Sequence, residues 1–243
     1  MNLITRIKAL PELSGADFFG VADLAPVHRS EMPHGIEAAS DYARAISIGI
    51  ALLHPIVDQL PSRSKRSVAL LYKHHAYDLI NRRLDIVASR VSSLLQGEGH
   101  KALPVPASQT IDTKGLLSMF PHKTAARLSG LGWIGKSCLL ITPEAGPRVR
   151  WVTVLTDAAL EPTGTPMEER CGSCQQCMDV CPPKAFTGRP FNQHEPVQTR
   201  FDTHKCKDYR AKLKEETGTD VCGMCLYVCP HGRKMAFPSK TAH

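Results

Sequence analysis

No stretch of this sequence approaches the run of roughly 18 apolar residues that a membrane-spanning helix needs. Residues 1–13 carry single basic residues, Arg6 and Lys8, without a twin-arginine pair or a long apolar core, so no export signal is expected. Internal repeats and low-complexity tracts are missing as well. Aromatic residues are scarce, at 6%, which leaves little material for a base-stacking surface. Hydrophobic residues at 42% and charged residues at 22% are ordinary for a packed domain and exclude a wholly disordered, collagen-like or coiled-coil chain. The 30 Lys+Arg against 23 Asp+Glu give a net charge of +7, compatible with an anionic partner such as nucleic acid or an acidic redox protein.

Cysteine, by contrast, is abundant and clustered. Eight of the 9 cysteines fall between Cys171 and Cys229, with Cys138 alone outside. Without an export signal a cytoplasmic, reducing compartment is expected, so metal ligation is favoured over disulfides. Cys171-x2-Cys174-x2-Cys177-x3-Cys181-Pro182 is the bacterial ferredoxin run, whose fourth cysteine ligates the other of two [4Fe–4S] clusters. Cys222-x2-Cys225-x3-Cys229-Pro230 is the same run with Thr219 where its first cysteine belongs, and Cys206 is the substitute. Two cubanes need eight thiolates. The expected sets are Cys171, Cys174, Cys177 and Cys229 for one cluster, and Cys181, Cys206, Cys222 and Cys225 for the other. Zinc uses paired Cys-x2–4-Cys units rather than a triplet before Cys-Pro. Cys138, inside an apolar run, reads as a buried small hydrophobe.

The rest of the chain mixes strands and helices. Phe18–Ala22 and Arg44–Leu53 read as strands, the second with alternating Ile46, Ile48, Ile50 and Leu52. Tyr77–Leu95 reads as a helix with one apolar stripe, stopped at Gly97, and His74-His75 as its solvated start. Residues 103–107 are extended. Pro121 opens a helix running to Ser129. Ser137–Thr142 and Val149–Thr156 read as strands, and residues 161–169 as a linker. The expected organisation is a first domain over 1–160 and a cluster domain over 161–243.

Gly130-Leu-Gly-Trp-Ile-Gly-Lys136 contains the letters of a P-loop, but it follows a helix and opens a strand, the reverse of that motif's setting. What remains is a glycine-rich backbone able to approach a large ligand closely. Arg148 and Arg150 alternate with Val149 and Trp151 and share one strand face, open either to a ligand's amides and phosphate or to solvent. Arg200, Lys205, Lys207, Arg210, Lys212 and Lys214 flank Cys206. They read as a solvated face, or as a docking patch for an acidic donor or RNA.

Together these segments resemble epoxyqueuosine reductase, a family that couples a cobalamin-binding domain to a two-[4Fe–4S] ferredoxin-like domain and is related to reductive dehalogenases. The residues that carry the resemblance are Gly130–Lys136, the run from Glu168 through Cys171, Cys174, Cys177 and Cys181 to Pro182, the isolated Cys206, and Cys222-Gly-Met-Cys-Leu-Tyr-Val-Cys-Pro230. The resemblance implies an α+β fold, with a mixed α/β, nitroreductase-like cobalamin domain followed by the ferredoxin-like domain. It implies base-off cobalamin beside the two clusters, with Lys123, Gly130, Gly132, Trp133, Ile134, Gly135, Lys136, Arg148 and Arg150 as cofactor-binding residues. Asp112 stands nearest to the family's proton-donating aspartate, in Asp112-Thr-Lys-Gly115 and without the motif's proline. His122 falls where the family has a glutamate, and its unperturbed pKa suits proton transfer. The chain ends fourteen residues after Cys229, where longer family members continue into helical repeats, so a short paralogue with weak, salt-dependent tRNA binding is expected.

The reading that follows is a cobalamin-dependent iron–sulfur reductase fed by a flavodoxin- or ferredoxin-type donor, acting on a small molecule or on weakly bound tRNA, and with no membrane partner. Two others stay open: a two-cluster electron carrier that docks a partner, and a reductase with another cofactor in the same pocket.

Overall fold

In the computed structural model, residues 2–27, 41–108 and 118–233 are described. Along the chain run α1 (Leu3–Lys8), β1 (Phe18–Asp23), β2 (Arg44–Ala51), α2 (His54–Val57), α3 (Arg66–Lys73), α4 (Ile80–Gly97), β3 (Ala102–Val105), α5 (His122–Leu128), β4 (Trp133–Ile134), β5 (Leu140–Ile141), β6 (Val149–Thr156), α6 (Gln176–Asp179), α7 (Thr203–Thr217) and α8 (Met224–Val228). The fold is α+β. Its residues group into two compact units, each assembled from three stretches of chain. One unit is Met1–Ala51, Tyr77–Leu131 and Arg150–Met167; the other is Leu52–Ala76, Gly132–Val149 and Glu168–His243.

The first unit is built on a four-stranded sheet in the order β1-β2-β6-β3. β1 pairs antiparallel with β2, and β3 with β6. Ile46, Ile48 and Ile50 of β2 are buried, as the alternation predicts, but the intervening Ala45 and Ser47 are buried too. The alternation is one of size rather than polarity. Ala45 joins Ala22, Leu155 and the α5 residues Ala125 and Leu128 in one apolar cluster, so the small face is covered by a close-lying helix. α4 packs on β2 and β3. Ile80, Leu84, Val87 and Val91 of the expected stripe are buried, while its last buried position is Leu95 rather than the expected Leu94, which is only half-buried.

The predicted long helix is preceded by a π-helical turn over His74–Leu79. Gly97 is its last residue, and the left-handed glycine beyond it is Gly99, at φ +85°. The expected linker is docked: the Thr163 amide donates to the Val21 carbonyl, and its hydroxyl oxygen accepts from the Val21 amide and donates to the Ser129 carbonyl.

The second unit carries the β4–β5 hairpin, the cysteine-rich segment and α2, α3, α6, α7 and α8. α6 packs on α8, and α3 on α7. Asp202 caps α7 by accepting from the Lys205 amide. The predicted strand over Ser137–Thr142 is shorter than expected. Its pairing half is Leu140–Ile141, while Cys138 sits buried in the turn at φ +56°. His75 is buried rather than solvated, its Nε2 accepting the Leu53 amide at 3.1 Å.

Candidate metal centre

Three thiols from the tight loop at Cys171–Cys177 and one from the end of α8 meet around a single cavity. Cys171, Cys174, Cys177 and Cys229 line it with Lys136, Ile141, Gln176 and His231, and about 360 Å³ of atom-free space, partly open to solvent, lies between them. The fold brings them together because α6, which carries Cys177, packs on α8, which leads into Cys229. Burial, with the neighbouring thiols of Cys171 and Cys174 acting in the same direction, pushes the thiol pKa values of Cys177 and Cys229 up to about 11.

A second group forms around Cys225. Burial raises its thiol pKa, and the charges of Cys222, Cys206 and Cys181 act in the same direction. Cys206, on α7, is raised by burial, lowered by Arg210 and raised again by Cys222 and Cys181. The Ala185 amide donates to the Cys181 sulfur at 3.4 Å. Among the described residues, no group of three or more His, Cys, Asp or Glu side chains is placed to hold a single metal ion; the first group of thiols lines a cavity instead. Buried thiolates that repel one another need a compensating cation, and an iron–sulfur cubane with four cysteine ligands supplies one. The donor set fits that group.

The residues expected to hold a corrinoid divide between the two units, and most are engaged by the chain itself. A Cβ on Gly130 would press on Gly164 and Thr165, and one on Gly132 would collide with the Ile141 carbonyl. Trp133 and Ile134 are buried in the hairpin. The Lys136 ammonium donates to the carbonyls of Gly172 and Cys174, at 2.6 and 3.3 Å. Arg148 precedes its strand's paired face, is 1% exposed, and sits 2.8 Å from Asp58 while donating to the Tyr227 carbonyl. The solvent-facing alternative for Arg148 is therefore excluded. Arg150 donates to Asn81 Oδ1 and lies over the Tyr77 ring. Lys123 lies in the first turn of α5. These contacts engage most of the described residues of the set within their own units. Asp112 lies outside the described residues.

His122 is half-buried as a residue, but its ring is enclosed. Nε2 stands 3.0 Å from the Pro106 carbonyl and Nδ1 2.9 Å from the Thr153 hydroxyl. A carbonyl only accepts, so Nε2 carries the proton and Nδ1 accepts from Thr153. Burial lowers the pKa to about 4, against the partial support of the Pro106 bond. The ring is neutral at pH 7 and has no ionised proton to give, so the expectation of a titrating donor is corrected by its burial. Because the folded state favours the neutral ring, the associated stability is complete above the unfolded value of 6.5 and lost as pH falls from there toward 4. The loss is at most about 3 kcal/mol. Denaturation midpoints of the wild type should fall more steeply across that window than those of His122→Gln; parallel profiles would contradict the assignment.

The basic run is smaller than the sequence suggests. Arg200 is 5% exposed and lies over Phe191, and Arg210 pairs with Asp220. Lys205, Lys207, Lys212 and Lys214 remain exposed.

Residues 170–232 match the family described as a 4Fe-4S double cluster binding domain. The epoxyqueuosine reductase of Pseudomonas aeruginosa is 27% identical over 240 residues, covering 90% of this chain, and the chain spans 59% of that protein's length. A reductive dehalogenase described as carrying out B12-dependent dehalogenation superposes with a TM-score of 0.67 at 21% identity, over 92% of this chain and 31% of its own. An epoxyqueuosine reductase solved with an epoxyqueuosine-modified tRNA-Tyr stem loop gives 0.57 at 18% identity, over 97% of this chain and 66% of its own. At those identities the structural likeness is one of fold. Among the described residues no helix is long and apolar enough to cross a membrane. By sequence, fold and cysteine pattern, the chain is a relative of the epoxyqueuosine reductases and carries a 4Fe-4S double cluster binding domain.

Proposed function

We propose that the chain is an iron–sulfur reductase of the epoxyqueuosine reductase type, whose two [4Fe–4S] clusters feed a corrinoid. Cys171, Cys174, Cys177 and Cys229 hold one cluster, and Cys181, Cys206, Cys222 and Cys225 the other, within a cluster-holding part at residues 161–243. The observation that carries the reading is coverage. The likeness to a B12-dependent dehalogenase extends over 92% of the chain, far beyond the roughly 60 residues that a metal-stapled carrier needs. A plain electron carrier leaves the four-stranded unit without a purpose. When bound, a corrinoid supplies a cobalt that single electrons convert into a strong nucleophile or reductant.

The chain's own part is to gather eight thiolates away from water. Lys136 holds the Cys171–Cys174 loop through two carbonyls, and the His231 and Gly232 amides favour the Cys229 thiolate. Asp112 is the proposed proton donor, a role that needs a raised carboxyl pKa. A flavodoxin- or ferredoxin-type donor supplies the electrons.

The substrate is a small molecule or a tRNA held mainly through phosphates. Trp133, the one indole in the glycine-rich loop suited to stacking on a base, is 1% exposed. The exposed lysines of α7 give sequence-independent attraction, so tRNA affinity should fall steeply with salt and differ little between tRNAs. Tight, salt-insensitive binding of one tRNA would overturn that expectation.

The function is tested by anaerobic reconstitution with iron and sulfide, followed by added cobalamin. EPR should show a base-off cob(II)alamin bound to the holoprotein; no binding would sink the corrinoid reading while leaving the clusters in place.

A further inference from the structure

The glycine-rich stretch Gly132–Lys136 is turned toward the cysteines. It forms one arm of the β4–β5 hairpin, with Trp133 paired to Ile141 and Ile134 to Leu140. A Cβ on Gly135 would lie 3.1 Å from the Cys171 sulfur and collide with the Ile141 side chain, so glycine here allows the hairpin to seat directly against that thiol. Lys136 and Ile141 line the cysteine cavity. Trp133 is 1% exposed, its ring held edge-on to His231 at 5.0 Å with the Arg170 guanidinium over it. Its indole nitrogen is buried with no hydrogen-bond partner. A buried N–H without an acceptor is costly, and such groups call for an explanation.

We propose that the indole N–H of Trp133 is a hydrogen-bond donor to the sulfur of Cys171, and that it sets the reduction potential of the cluster this cysteine holds. The inference rests on the two-cluster reading. The Lys136 amide and the Trp133 side chain are both placed against the Cys171 sulfur. Donors to a ligating sulfur stabilise the more negative, reduced state, so they raise the potential. The glycine-rich loop is then part of the electron path: its backbone and its indole tune the first cluster.

The test uses the full chain reconstituted with both clusters. Trp133→Phe keeps an aromatic ring and removes the N–H. In EPR-monitored redox titrations, one cluster should shift to a more negative midpoint while the other stays put, with iron unchanged at about eight atoms per chain. Two unshifted midpoints at full iron content would overturn the proposal. Should the variant lose iron, a second variant that keeps Trp133 gives the answer. Trp151→Phe protein, in which Trp133 is the only indole, is labelled with ¹⁵N at the indole nitrogen. Pulsed EPR of its reduced form should show ¹⁵N hyperfine coupling, and absence of coupling would overturn the assignment. A parent that binds well under eight irons would instead defeat the two-cluster reading itself.

Discussion

Cys206→Ala should lower the iron content of the reconstituted protein from about eight atoms toward four, since two cubanes need eight ligands. Cys206 is the only cysteine of the eight outside a spaced motif. It lies on α7, in a helix whose start is fixed by the Asp202 cap, and its thiol feels the charges of Cys222 and Cys181. With it gone, the remaining cysteines of the second group number one too few. Outright loss of that cluster halves the iron; a retained three-iron cluster with a changed EPR signature would equally mark Cys206 as a ligand. Unchanged iron and unchanged spectra would remove Cys206 from the site and leave the second group incomplete.

Gly146→Ala should be among the most damaging single substitutions. Gly146 has φ +56°, a region that costs an L-residue about 1–2 kcal/mol. It also exchanges backbone bonds with Thr142 in the turn after β5. An added Cβ would collide with the backbone at His231 and Gly232, which cannot yield as a flexible side chain can. Overpacking of this kind adds about 1–3 kcal/mol, giving a combined loss of about 2–5 kcal/mol. Those two residues follow Cys229 and aim amides at its sulfur, so the damage reaches the first cluster. The expected result is a lowered denaturation midpoint together with faster loss of iron to a chelator. A variant as stable and as iron-retentive as the parent would show that the turn does not brace the Cys229 segment.

The parts of the site legible in the sequence are those fixed by covalent spacing. Cys171, Cys174 and Cys177 must lie on one tight loop whatever surrounds them, and the partnership of the run's fourth cysteine with the other motif follows from its direction. The large strands and the α4 stripe were legible for a similar reason, since burial repeats along a regular backbone. What the pattern could not carry was tertiary. β4 is only two residues long, too short to show alternation, so Trp133 and Ile134 read as loop. Ala45 and Ser47 looked like the outward face of β2 because smallness and exposure leave the same mark on a sequence. His122 and His75 looked available because neither the Pro106 carbonyl nor the Leu53 amide that engages them is near in sequence. A signal for Trp133 did exist: a large indole flanked by glycines on both sides in Gly132–Gly135 is more readily packed against its own chain than offered to solvent.

The most direct test of the central claim is Mössbauer spectroscopy of the full chain reconstituted anaerobically with ⁵⁷Fe. Eight cysteines shared between two groups predict about eight irons per chain, all in cubane-type signals, and on reduction two EPR-active clusters rather than one. A single cubane with four unligated thiols, or tightly held zinc in place of iron, would contradict it.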